Sequence, residues 1–327
     1  MRVAVIGGGS WGTALGHHLN RCGHEVSLVV RGSAAAAEMG RLRENRRYLP
    51  GIRLAPELVV GCDMSAAAGA EMTVVAVPSE AFRAAGRQLA AADGRGGLVV
   101  SATKGLEIDT LQRMSEVLAE EMPGRSVAVL SGPSFALEVA QGQPTAVVAA
   151  SSEAAVAEAV QKAFAGPTFR VYASDDVAGV ELGGALKNVI AIAAGIVGGL
   201  GYGQNTVAAL VTRGLAEITR LGVALGGRPE TFAGLAGLGD LVLTATGALS
   251  RNLRVGRALG QGKSLDQAVR ETAMVAEGVR TTRAACVLAA RAGVEMPIAQ
   301  QMEAVLYAGK APREALDNLM IRRLKRE

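Results

Sequence analysis

Aromatic residues are scarce in this chain, with one Trp, four Tyr and five Phe making up 3% of its 327 positions. The core must instead be filled by Ala, Val, Leu and Ile and by close glycine contacts. Cysteine is as sparse. Cys22, Cys62 and Cys286 lie far apart, no pair has metal-ligand spacing, and an odd count builds no disulfide framework. That points to a reducing compartment, here the cytoplasm, and to no metal. The only histidines, His17, His18 and His24, crowd one stretch with no Ser and acid set beside them, which argues against hydrolytic triad chemistry. Neither sign of charge dominates, at net +4. The one dense basic run, Arg322–Arg323–Lys325–Arg326, reads as a solvated tail, so no nucleic-acid partner is expected. Long hydrophobic runs are missing too. Val189–Gly203 is short and glycine-rich, a buried helix rather than a membrane span. The chain opens on a strand without a charged-then-apolar leader, so no secretion signal is expected.

What is present alternates. Val3–Ile6, Glu25–Val30, Met72–Val77, Leu98–Ala102, Val127–Leu130, Thr145–Ala149 and Arg170–Tyr172 read as short strands. Helical segments such as Thr13–Asn20, Glu80–Ala91 and Leu111–Glu121 separate them. Strands alternating with helices predict an α/β domain with a doubly wound, mostly parallel sheet of the Rossmann type. After Ser174 the strands stop. Val177–Gly199, Asn205–Leu221, Leu253–Leu259, Leu265–Val269, Thr281–Ala292 and Pro297–Leu306 all read as helices. Two domains are therefore expected: residues 1–176, α/β and dinucleotide-binding, and residues 177–327, all-helical and carrying the substrate.

Gly7-Gly8-Gly9-Ser10-Trp11-Gly12 follows the first strand and opens a helix, the context that gives G-x-G-x-x-G its meaning. Gly7 permits the tight turn, Gly9 lets backbone approach a pyrophosphate, and Gly12 lets helix and strand pack closely. The helix start then offers N–H groups to the phosphates. The second strand ends not in an acid but in Arg31, which can pair with a 2′-phosphate and so favours NADP over NAD.

Hydride chemistry at a carbonyl needs a proton donor nearby. Lys187 lies in a helix apolar almost all round, and its neighbours one turn away, Gly183, Gly184, Ile190 and Ala191, offer it no partner. An ammonium there is costly unless it lines a site, and desolvation lowers its pKa toward general acid–base use. Gly183 and Gly184 would admit a ligand close to the helix. A snorkelling lysine fits the same pattern. Lys104 follows the Leu98–Ala102 strand, at the end where open sheets bind ligands, although a plain loop lysine has the same spacing. Ser250 suits a helix N-cap, and Arg251 and Asn252 beside it make a natural phosphate site or merely a capped, solvated helix start. Asp240, in an apolar setting, can orient Lys187, accept a substrate hydroxyl, or simply cap a helix.

Together these segments resemble the bacterial and archaeal NAD(P)-dependent glycerol-3-phosphate dehydrogenases, nearly end to end. The likeness runs through Gly7–Thr13, Ser101–Glu107, Leu130–Ala136, Gly142–Ala146, Lys187–Val189, Thr212–Leu215, Gly234–Leu243, Ser250–Asn252 and Ala276–Gly278. The resemblance implies reduction of dihydroxyacetone phosphate to sn-glycerol 3-phosphate for phospholipid synthesis. It implies cofactor contacts from Ser10, Trp11, Arg31, Lys104, Ala136, Arg251, Val275 and Glu277. It places Lys104, Gly132, Ser134, Lys187, Asp240, Ser250, Arg251 and Asn252 about the substrate, with Lys187 exchanging the proton and Lys104 and Asp240 assisting. The chain departs from the family pattern at Gly198, Gln204 and Gly247, where acids are usual. A hydroxy-acid or ketopantoate dehydrogenase shares the two-domain plan but would want a carboxylate clamp in place of Ser250-Arg251-Asn252. A dinucleotide-sensing regulator would keep Gly7–Gly12 and have no need of Lys187 or Asp240. Exposed apolar faces on the helical domain make a homodimer plausible.

Overall fold

The computed structural model describes residues 1–92, 97–272 and 276–323. The chain forms two compact units: residues 1–107 with 112–181, and residues 108–111 with 182–327.

The first unit is built on strands β1 (Arg2–Ile6), β2 (Glu25–Val29), β3 (Glu44–Asn45), β4 (Leu49–Arg53), β5 (Val59–Gly61), β6 (Met72–Val75), β7 (Leu98–Ser101), β8 (Val127–Ser131), β9 (Thr145–Ala150) and β10 (Phe169–Ser174). Eight of them form one sheet in the order β10-β9-β8-β7-β6-β1-β2-β5, while β3 and β4 pair separately. Helices α1 (Ser10–Arg21), α2 (Ser33–Leu42), α3 (Ser79–Ala92), α4 (Met114–Glu121), α5 (Ala136–Ala140) and α6 (Ala154–Phe164) intervene. Pleating divides the core. Val3 and Val5 join Leu15, Leu19 and Phe164 on one side, and Ala4 and Ile6 join Phe82, Leu89 and Val117 on the other. A sheet buried on both faces explains the near-continuous apolar strands. Phe82, Phe164, Phe169 and Phe232, four of the five phenylalanines, are fully buried. His18 is spent on this core, its Nε2 2.8 Å from the Phe164 carbonyl and its ring 4.4 Å from that of Phe169. Burial pushes its pKa down.

β9 runs antiparallel to β8, against the parallel continuation its place in the alternation suggests. The reason is the connection. Residues 132–144 carry only the five-residue helix α5 in place of a full crossover helix, and β9 returns directly beside β8. The sequence reading also placed no strand at β5, which forms one edge of the large sheet, or at the separate pair β3 and β4.

Helix α7 (Val177–Gly199) begins in the first unit and, from Leu182 on, belongs to the second. It is long and apolar enough to cross a membrane, but its whole apolar window is buried inside the protein. The second unit adds α8 (Gln204–Ala224), α9 (Pro229–Ala233), α10 (Asp240–Thr246), α11 (Arg251–Gly260), α12 (Leu265–Arg270), α13 (Glu277–Ala292), α14 (Pro297–Tyr307) and α15 (Pro312–Met320). Glycine does here what aromatics do elsewhere. A Cβ on Gly195 would strike the Leu253 carbonyl and one on Gly256 the Ile192 carbonyl, so α7 and α11 pack backbone to backbone. Glu217, buried on α8, caps α14 by accepting from the Ile298 and Ala299 amides. Burial raises its pKa to about 7 against the pull of those amides.

Candidate active site

Strand order reverses between β1 and β6, which pair with each other while their successors run outward in opposite directions. Ligands of open α/β sheets bind outside the carboxyl ends of the strands at such a point. The glycine-rich turn emerges there from β1. Gly7 has φ +126°, and a Cβ on it would lie 2.5 Å from the Ala76 carbonyl oxygen. A Cβ on Gly12 would run into the Gly7 carbonyl. On Gly9 it would meet nothing within 4 Å. The turn is thus closed on its inner side and open where a pyrophosphate would lie, which is the shape a dinucleotide requires.

Helix α1 starts at Ser10, inside the glycine motif, rather than at Thr13 as the composition suggested. Its first i→i−4 bond runs from Thr13 to the Gly9 carbonyl at 3.0 Å, so the amides of Ser10, Trp11 and Gly12 precede the ladder. Two contributors went unread in the sequence. A Cβ on Gly8 would lie 2.5 Å from Val30 Cγ1. The buried Asn45 on β3 donates to the Gly8 carbonyl at 2.9 Å and to Thr13 Oγ1 at 2.8 Å, tying the turn down. An Asn among arginines reads as an ordinary turn residue, so nothing local reveals that role.

Gly9 has φ −73°, which any residue can adopt. Gly9→Val is therefore expected to leave the thermal unfolding midpoint unchanged while weakening cofactor binding roughly tenfold or more. Titration of each dinucleotide beside a thermal melt checks both. Undiminished affinity would remove the turn from the cofactor site.

Arg31 is exposed two residues beyond β2, just before Gly32. Lys104 lies beyond the end of β7. Its Nζ donates to the Gly132 carbonyl at 2.7 Å and to Ser134 Oγ at 3.2 Å, and stands 6.0 Å from the centre of the Trp11 ring. Trp11 in turn donates its indole N–H to the Ala102 carbonyl at 3.1 Å. Five residues scattered over more than a hundred positions thus meet at the glycine turn. Ala136 opens α5, half-buried.

In the second unit, Lys187 is buried and forms an ion pair with Asp240, itself 1% exposed. The carboxylate that pairs with Lys187 comes from another helix. Asp240 is the first residue of α10 and directly follows a π-turn, Leu235–Gly239. Gly183 does not admit a ligand. A Cβ there would sit 2.6 Å from the Ala236 carbonyl, so the glycine admits this turn, and the turn delivers Asp240 to Lys187. Thr244 donates to the Asp240 carbonyl at 2.6 Å.

Ser250 caps α11, accepting from Leu253 N at 3.2 Å. Asn252, two residues further in, is buried. Its Nδ2 donates to Asn188 Oδ1 at 2.8 Å and its Oδ1 accepts from Gly278 N at 3.0 Å. Asn252 thus ties the start of α11 both to Asn188 on α7, next to Lys187, and to the start of α13. Arg251 stands between these anchors. Burial pushes its pKa down, opposed by Glu277 at the start of α13. Val275 lies outside the described residues. Among the described residues, no three His, Cys, Asp or Glu side chains gather to hold a metal.

A nucleotide-binding α/β unit followed by a helical unit with a buried Lys–Asp pair defines a class, the NAD(P)-dependent dehydrogenases. Within it, family models for the N-terminus and C-terminus of NAD-dependent glycerol-3-phosphate dehydrogenase match residues 2–157 and 176–317. A protein of Geobacter sulfurreducens named glycerol-3-phosphate dehydrogenase (NAD(P)+) is 53% identical over 330 residues, covering 100% of this chain and 98% of its own. The crystal structure of glycerol-3-phosphate dehydrogenase from Coxiella burnetii is 40% identical with a TM-score of 0.95, over 98% of this chain and 99% of that one. The chain belongs to the NAD-dependent glycerol-3-phosphate dehydrogenase family. A ketopantoate reductase of Ralstonia eutropha, 18% identical with a TM-score of 0.63 over 97% of this chain and all of that one, shares the fold alone.

Proposed function

We propose that this chain reduces dihydroxyacetone phosphate reversibly to sn-glycerol 3-phosphate, the precursor of glycerophospholipids, in the cytoplasm and as a homodimer. The observation that carries the reading lies in the second unit. A buried Lys187–Asp240 pair sits one residue from the Asn188–Asn252 bond that anchors an arginine-bearing helix start. That combination suits a ketone bearing a phosphate.

Gly7, Gly9, Ser10, Trp11, Gly12, Arg31, Lys104, Ala136, Arg251, Val275 and Glu277 would hold a nicotinamide dinucleotide, which supplies the hydride when bound. NADPH is favoured because Arg31, and no acid, stands beyond β2. Arg251 and the α11 N-terminus hold the substrate phosphate, with Ser250 and Asn252 setting that helix start. Lys187 gives its proton to the oxygen on C2 as the carbonyl is reduced and takes it back in oxidation. Asp240 supplies the counter-charge that an interior ammonium needs and aims it. Lys104, held by Gly132 and Ser134 beside Trp11 of the glycine turn, would assist with its positive charge.

Initial rates with dihydroxyacetone phosphate and each coenzyme, beside ketopantoate and a set of 2-keto acids, test the reading. Expected is turnover with the triose phosphate and a higher kcat/KM with NADPH than with NADH. Turnover of the keto acids alone would overturn it.

A further inference from the structure

The segment carrying Lys104 has no regular structure between β7 and the Leu106–Arg113 bridge, so something must hold it. On the strand side, Thr103 Oγ1 donates to the Val77 carbonyl at 2.7 Å and Trp11 to the Ala102 carbonyl. On the far side the anchor is Glu107, three residues beyond Lys104. Its two carboxylate oxygens take a fork from Arg83 on α3: Nε to Oε1 at 2.8 Å and Nη2 to Oε2 at 2.7 Å. The same guanidinium donates to Gln112 at 2.6 Å, to Glu121 at 2.6 Å and to Glu120 at 2.8 Å. Gln112 also accepts, through its backbone carbonyl, from Glu107 N at 2.9 Å.

Several features set this apart from an ordinary surface ion pair. The geometry is bidentate, the partners lie on three separate segments, and Arg83 and Glu107 are only 20% and 15% exposed in their side chains. Arg83 touches neither Lys104 nor the glycine turn in any contact described above.

We propose that Arg83 is a positioning residue: through Glu107 it sets the course of the 104–107 segment and so the aim of the Lys104 ammonium. The inference rests on the catalytic reading of Lys104 given above. Lysine in place of Arg83 would keep the charge but not the fork, so it should rescue only in part.

The single tryptophan supplies a readout independent of turnover, because Trp11 bonds to this segment and faces the Lys104 ammonium. Three folded variants are compared with the parent enzyme: Arg83→Met, Arg83→Lys and Lys104→Ala. Arg83→Met is expected to shift the Trp11 emission of the free enzyme and to lower kcat about tenfold with little change in cofactor KM. Arg83→Lys should fall between it and the parent. Combining Arg83→Met with Glu107→Gln should cost little more than either alone, since both break one link. Unchanged emission and kcat in folded Arg83→Met, with Lys104→Ala strongly impaired, would overturn the inference. So would full additivity with Glu107→Gln. Lys104→Ala with normal turnover would instead sink the reading of Lys104 itself, leaving the emission shift to decide whether Arg83 sets the segment.

Discussion

Lys187→Met should lower kcat by roughly 10²–10⁴, the range in which a positioned proton donor contributes, with dihydroxyacetone phosphate still binding. The substitution has a second consequence. Asp240 is 1% exposed, and loss of the ammonium takes the ion-pair partner from a buried carboxylate, a change that costs about 3–5 kcal/mol. A drop in activity could therefore report a weakened fold. The double variant Lys187→Met with Asp240→Asn separates the two, because removing both charges leaves nothing uncompensated. Thermal unfolding of the double variant is expected to recover most of the stability lost in the single one, while kcat stays low. If the double variant turned over near the parent rate, Lys187 would be a structural partner of Asp240 and not the proton donor.

Truncation of Arg251 to Ala should reduce kcat/KM for dihydroxyacetone phosphate roughly 10²–10³-fold, taking about 3–4 kcal/mol for a buried charge-assisted contact. The loss should depend on the phosphate. The rate with unphosphorylated dihydroxyacetone should be affected little. Equal losses with both substrates would exclude Arg251 from the phosphate site. A rise confined to the KM of the coenzyme would assign it to the dinucleotide instead.

Much of the site could be read before any coordinates. The glycine turn announces itself because only glycine tolerates φ +126° at Gly7 and a carbonyl pressed against Gly12. Lys187 stands out because an ammonium in an apolar helix demands an explanation, and Ser250 because N-caps have a short list of residues. Asn45, Gly8 and Arg83 were invisible for the opposite reason. Each is a common residue in a common setting, and each acts on a segment that folding brings to it.

The sequence alone determined the α/β-then-helical order and the nucleotide turn, since both follow from local periodicity and backbone sterics. It also marked Lys187 as an ammonium set in an apolar helix. The tertiary structure alone decided what answers that lysine. Gly183 is read locally as room for a ligand, yet it admits the Leu235–Gly239 turn, and that turn sets Asp240 against Lys187. The physical reason is range. A helix can pair residues three or four apart, whereas Lys187 and Asp240 are joined only by the close packing of two helices that glycine permits.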